Sequence, residues 1–140
     1  MNFSLFQSLP DYWGIDQEFP IMPITHLDQK PTRSASLWDI TCDSDGELPF
    51  DLKKPLYLHD VNLNKEDYFL GFFNVGAYQD TLGMKHNLFS HPTEVNIVFE
   101  NGKVILEKIL ESQKLIDILE DIDYDTNEIK SIYQKRFMKY

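Results

Sequence analysis

The stretch of this sequence richest in chemistry is Thr41-Cys42-Asp43-Ser44-Asp45-Gly46. A thiol at a strand end, followed by two carboxylates and a glycine turn, sets a proton donor beside a cation-binding pair. A thiol with an ordinary pKa of about 8.5 can give its proton to a carbanion. Carboxylates grip an ammonium or guanidinium group through charge-assisted hydrogen bonds. The same residues also have a plainer reading. Cys42 continues the strand face of Trp38 and Ile40 as a small buried hydrophobe, and Asp43 and Asp45 build a turn. The ligand spacing of a calcium loop is absent.

Gly76-Ala77-Tyr78 is a second candidate. A glycine just before a short helix exposes backbone N–H groups to a phosphate, and the tyrosine hydroxyl can add a hydrogen bond. As a plain turn, the same tripeptide would put Tyr78 in the core. His26, His59, His86 and His91 match no zinc spacing, and one cysteine cannot complete a thiolate site; they read as polar surface or satisfied interior groups. Neither a phosphate-binding P-loop nor a Gly-x-Ser-x-Gly elbow occurs. Lys53-Lys54 stand before Pro55 with no sign of a desolvated, nucleophilic amine.

The elements that position these residues must fit into 140 residues. That length suits one domain or a piece of a larger one, and it is too short for an α/β barrel of about 250 residues. Hydrophobic residues are 42% of the chain and aromatics 14%, enough for a core. Thirteen Lys and Arg against 23 Asp and Glu give a net charge of −10. Such a surface repels nucleic-acid phosphate and anionic membranes alike. The single cysteine excludes an internal disulfide framework. With no signal-peptide layout and no membrane-length apolar run, a reduced, cytoplasmic chain is expected.

Residues 1–35 hold Pro10, Pro20, Pro23 and Pro31, which predicts a mostly irregular arm. Its large apolar side chains need a surface to lie on. From Ser36 the alternation of Trp38, Ile40 and Cys42 against Leu37, Asp39 and Thr41 predicts a strand. Leu56–Leu58 reads as a short strand and Tyr68–Asn74 as a buried one. Gly76–Tyr78 opens a short helix that stops near Gly83. Asn101-Gly102, between Glu94–Phe99 and Lys103–Glu107, predicts a hairpin with a type I′ turn. Leu115, Ile118, Leu119 and Ile122 have helical spacing, and Asp125 with Glu128 reads as the capping box of a last helix ending in Lys135, Arg136 and Lys139. The expected class is α+β: a small antiparallel sheet or barrel over 36–110, then a helical tail over 111–140.

Several blocks, in order, resemble the biosynthetic arginine decarboxylases. They are Asn2–Asp11, Trp13–Gln17, Phe19–Pro23, His26-Leu27, Lys30–Arg33, Asp39–Gly46, Leu70–Phe73, Val75–Gln79 and His86–Phe89. The resemblance spans roughly residues 2–110, and Asp39–Gly46 is its most specific block. It implies a pyridoxal-phosphate decarboxylase of the alanine-racemase-like barrel family, of which this chain is the C-terminal portion. It further implies that Cys42 protonates the carbon that lost CO2, that Asp43 and, more weakly, Asp45 hold the substrate's distal cation, and that Tyr78 and Gly76 meet the cofactor or its phosphate. Magnesium is the other cofactor the resemblance admits. The partners it implies are the α/β-barrel portion, a second subunit of a dimer or higher homo-oligomer, and arginine as substrate.

The family's Schiff-base lysine, glycine-rich phosphate loop and pyridine-pairing acid belong to that barrel and have no counterpart in these residues. The expectation is therefore a part of the arginine-to-agmatine enzyme of polyamine synthesis that is inactive alone. The alternative is a non-catalytic module that docks on a full-length decarboxylase and modulates it.

Overall fold

The computed structural model describes residues 1–48 and 55–137. Lys53-Lys54 and Lys139 lie outside the described residues. The chain divides into two compact units, Met1–Phe89 and Ser90–Tyr140. Residues 1–35 thus share a unit with the strand and loop that follow, and the expected 36–110 β-domain straddles the division.

The first unit runs, in chain order, through α1 (Leu5–Ser8), α2 (Pro10–Ile15), β1 (Ile21–Pro23), β2 (Arg33–Ala35), β3 (Leu37–Trp38), β4 (Glu47–Leu48), β5 (Leu56–Leu58), β6 (Leu70–Phe72) and α3 (Tyr78–Leu82). Single 3-10 turns cover Ser44–Gly46 and His86–Leu88. The strands pair antiparallel as β1 with β6, β2 with β5 and β3 with β4. The class is α+β, as expected, but the sheet is a set of two-stranded ladders, and no closed barrel forms among the described residues.

Residues 1–35, predicted as a mostly irregular arm, hold two short helices and two three-residue strands joined by irregular chain. Pro10 sits in the first turn of α2, where its missing N–H removes no helical bond. Pro23 ends β1 in a ladder of only two strands, where a missing donor is tolerated. Leu5 and Leu9 join Leu37 and Leu48 in the buried cluster, with Phe3, Ile21 and Phe72 packed against it. Leu5 and Leu9 therefore belong to this unit's own core, while Trp13, Ile15, Met22, Ile24 and Leu27 stay exposed. What starts α1 is also non-local. The side chain of Ser4 caps nothing, and Asp39 Oδ2 accepts the Leu5 N–H at 2.9 Å instead.

In the second unit, β7 (Glu94–Glu100) and β8 (Lys103–Leu110) form the predicted hairpin. Asn101 and Gly102 take positive φ angles of 51° and 74°, as a type I′ turn requires. A bulge between Asn96 and Ile97 shifts the register. Then come α4 (Leu115–Asp121) and α5 (Thr126–Phe137). The Asp125 carboxylate accepts the N–H groups of Asn127 and Glu128, at 2.9 and 3.1 Å, and caps α5 from the predicted position.

Candidate functional site

The Cys42 loop is built outward from Asp39. One carboxylate oxygen of Asp39 accepts both the N–H and the hydroxyl of Thr41, each at 2.7 Å, while the other caps α1. Thr41 Oγ1 in turn accepts the Asp43 N–H at 3.3 Å. Asp43 Oδ1 accepts the Asp45 N–H at 2.9 Å and so caps the 3-10 turn Ser44–Gly46. Backbone bonds close the loop, from Asp39 N–H to Gly46 O (2.9 Å) and from Ile40 N–H to Phe3 O (3.2 Å). Each short polar side chain thus fixes the next peptide.

The predicted alternation along 37–42 is present, but its sense is reversed. Strand pairing covers only Leu37–Trp38. Leu37 is the buried residue, while Trp38 is 52% and Ile40 45% exposed, and Cys42 is exposed too. The reading of Cys42 as a buried small hydrophobe is therefore corrected. Leu37 packs inward on Leu5, Leu9 and Leu48, which turns the Trp38–Cys42 face outward.

The two aspartates face different neighbours. Asp43 Oδ2 lies 3.0 Å from His86 Nε2 in a half-buried pair. Asp45 Oδ2 accepts the Trp13 indole N–H at 3.3 Å and lines an open cleft of about 320 Å³ with Tyr12, Trp13, Asp16, Ser44 and Glu47. Burial of its ring, then the charges of Asp16, Glu18 and Glu47, push the Tyr12 phenol above the usual tyrosine range. Aromatic walls among carboxylates suit an organic cation.

The Cys42 thiol makes a long S–H···O contact of 3.8 Å with Asn87 Oδ1. His86 and Asn87 belong to the second 3-10 turn, in which Asn87 and Leu88 both have positive φ. The His86 ring also packs against Phe6 at a 49° tilt, with centroids 4.5 Å apart. Sequence reasoning places His86 among polar surface or satisfied interior groups and gives Asn87 no role of its own. The available signal is Asn87 itself, since asparagine tolerates the left-handed region a tight turn needs.

Tyr78 begins α3 and is 73% exposed, so its reading as a core residue is corrected. Gly76 has open space where a side chain would stand, and its carbonyl accepts the Gln79 N–H at 3.1 Å. This exposed edge fits a peripheral contact to a phosphate, through the Tyr78 hydroxyl and unobstructed backbone. A five-residue helix adds little dipole to it. Among the described residues no group of three or more His, Cys, Asp or Glu converges on a metal position, and no helix is long and apolar enough to cross a membrane.

No family model matches the chain. The biosynthetic arginine decarboxylase of Phocaeicola vulgatus is 42% identical over 91% of this chain and 21% of its own length. That of Tolumonas auensis is 45% identical over 96% of this chain and 22% of its own. The crystal structure of the biosynthetic arginine decarboxylase from Campylobacter jejuni superposes with a TM-score of 0.92 at 59% identity, covering 99% of this chain and 24% of that one. The chain is homologous to a C-terminal portion of biosynthetic arginine decarboxylase. It spans about a fifth of the length of the curated decarboxylases it matches. The decarboxylase likeness takes in the Cys42 loop, the Asn87 turn and the Tyr78 edge alike, because it runs nearly end to end.

Proposed function

We propose that these residues supply the proton donor and the substrate-cation anchor of an arginine decarboxylase that forms agmatine for polyamine synthesis. The observation that carries this reading is the exposed Cys42 thiol held next to Asp43 on a loop locked by Asp39. Pyridoxal phosphate, when bound, supplies the electron sink that lets the substrate release CO2. Cys42 then donates its proton to the carbon that lost CO2, and the thiolate recovers a proton from solvent. Asp43, with Asp45 beside its aromatic cleft, holds the guanidinium group and fixes the substrate's length and direction. Tyr78 and Gly76 touch the cofactor's phosphate from the edge.

The rest of the active centre, including the amine that holds the cofactor, comes from the decarboxylase portion beyond these 140 residues. The exposed Trp38–Cys42 face is the side turned to that portion, and to a neighbouring subunit of a homo-oligomer. Alone, these residues do not turn over arginine. Reconstitution tests this: the chain is mixed with the barrel portion and pyridoxal phosphate, and CO2 release from arginine is followed. Activity should appear only in the mixture, and Cys42→Ala should lose clean agmatine formation. Full agmatine formation by Cys42→Ala overturns the donor role.

A further inference from the structure

We infer that the His86–Asn87 turn is a positioning element for both chemical groups of the Cys42 loop, with His86 fixing Asp43 and Asn87 fixing the thiol. This rests on the functional reading of Cys42 and Asp43 given above. Three observations carry it. His86 Nε2 sits 3.0 Å from Asp43 Oδ2, while Asp43 Oδ1 is already held by the Asp45 N–H, so both carboxylate oxygens are oriented. Asn87 Oδ1, on the very next residue, takes the Cys42 S–H at 3.8 Å. The turn also holds a left-handed leucine, Leu88 at φ 63°, a conformation that bulky residues avoid unless their surroundings impose it.

The turn is anchored from behind. The His86 ring packs tilted against buried Phe6, and the Met84 N–H donates to Phe6 O at 3.2 Å. The turn therefore meets the loop from a fixed base in the core. A carboxylate oriented on both oxygens still has lone pairs free for a bidentate guanidinium, and it presents them in one direction. A thiol held against an amide oxygen has its sulfur fixed in place and its proton retained until a stronger acceptor comes into reach.

The test separates the two contacts from simple folding. His86→Phe keeps a ring against Phe6 but removes the donor to Asp43; His86→Gln restores an N–H. In the reconstituted enzyme, His86→Phe should raise KM for arginine about tenfold, the loss of one charge-assisted bond, with little change in kcat. His86→Gln should recover most of it. Asn87→Gly keeps the left-handed backbone and deletes only the acceptor, and Asn87→Asp retains an acceptor. In the 140-residue chain alone, Asn87→Gly should speed iodoacetamide alkylation of Cys42 about threefold at neutral pH, because the thiol loses its stabilising bond. Unchanged alkylation in Asn87→Gly, or a fall in kcat without a KM change in His86→Phe, overturns the inference. The alkylation needs no partner, so absent activity in the unsubstituted mixture counts against the functional reading and not against the turn.

Discussion

Gly46 lies so close to Asp39 that a β-carbon on it would stand 2.6 Å from the Asp39 carboxyl carbon. The same carboxylate holds Thr41 and starts α1. Gly46→Ala should therefore displace Asp39 and release three donors together. A loss of about 2–4 kcal/mol is expected in urea unfolding, with a Cys42 loop that digests faster at neutral pH. An alanine variant as stable as the parent removes Asp39 from the centre of the loop.

Gln79 and Asp11 form a reciprocal pair. The Gln79 amide donates to Asp11 Oδ2 at 2.6 Å and accepts the Asp11 N–H at 3.2 Å, with Gln79 only 2% exposed. Gln79→Leu should cost about 1–3 kcal/mol in the same measurement. Gln79→Glu should cost more at neutral pH, where two carboxylates face each other, and recover as pH falls toward about 4.

Tyr12 gives a pH dependence with a defined sign. Its phenol is held above the usual range in the folded chain by burial first, then by Asp16, Glu18 and Glu47. Between its unfolded and folded values, the unfolded state carries fewer protons. Stability from this group is thus complete below the unfolded value of about 10 and falls as pH rises through the folded value. Tyr12→Phe should flatten the alkaline limb of the melting-temperature profile. Ultraviolet titration should show one tyrosine ionising late.

Limited proteolysis checks where the core lies. Leu5, Phe6 and Leu9 are all nearly inaccessible, so the segment Leu5–Leu9 should survive with the rest of Met1–Phe89. Early cuts are expected in the second unit, where β8 has no half-buried residue. Rapid removal of residues 1–35, leaving a resistant remainder from Ser36, would contradict the packing of α1.

The parts of this fold that are legible in the sequence are those with local causes. The hairpin at Asn101-Gly102 follows from two residues that accept positive φ, and α5 follows from Asp125 three residues before Glu128. The short strand Leu56–Leu58 and the helix ending at Gly83 are readable for the same reason. What local reasoning misses depends on distant partners. α1 needs Asp39, 34 positions away from Leu5, and α2 begins at a proline that suggests irregular chain. At the candidate site, type and spacing single out Cys42, Asp43, Asp45 and Tyr78. They do not single out His86 and Asn87, because only folding brings these to a loop more than forty residues earlier.

Trp38, Ile40 and Cys42 point away from the leucine cluster that Leu37 joins. Side chains beside the thiol can thus be exchanged without unravelling the leucine interior. For the experimenter, Ile40 is a ready attachment point for a fluorophore that reports whatever approaches Cys42.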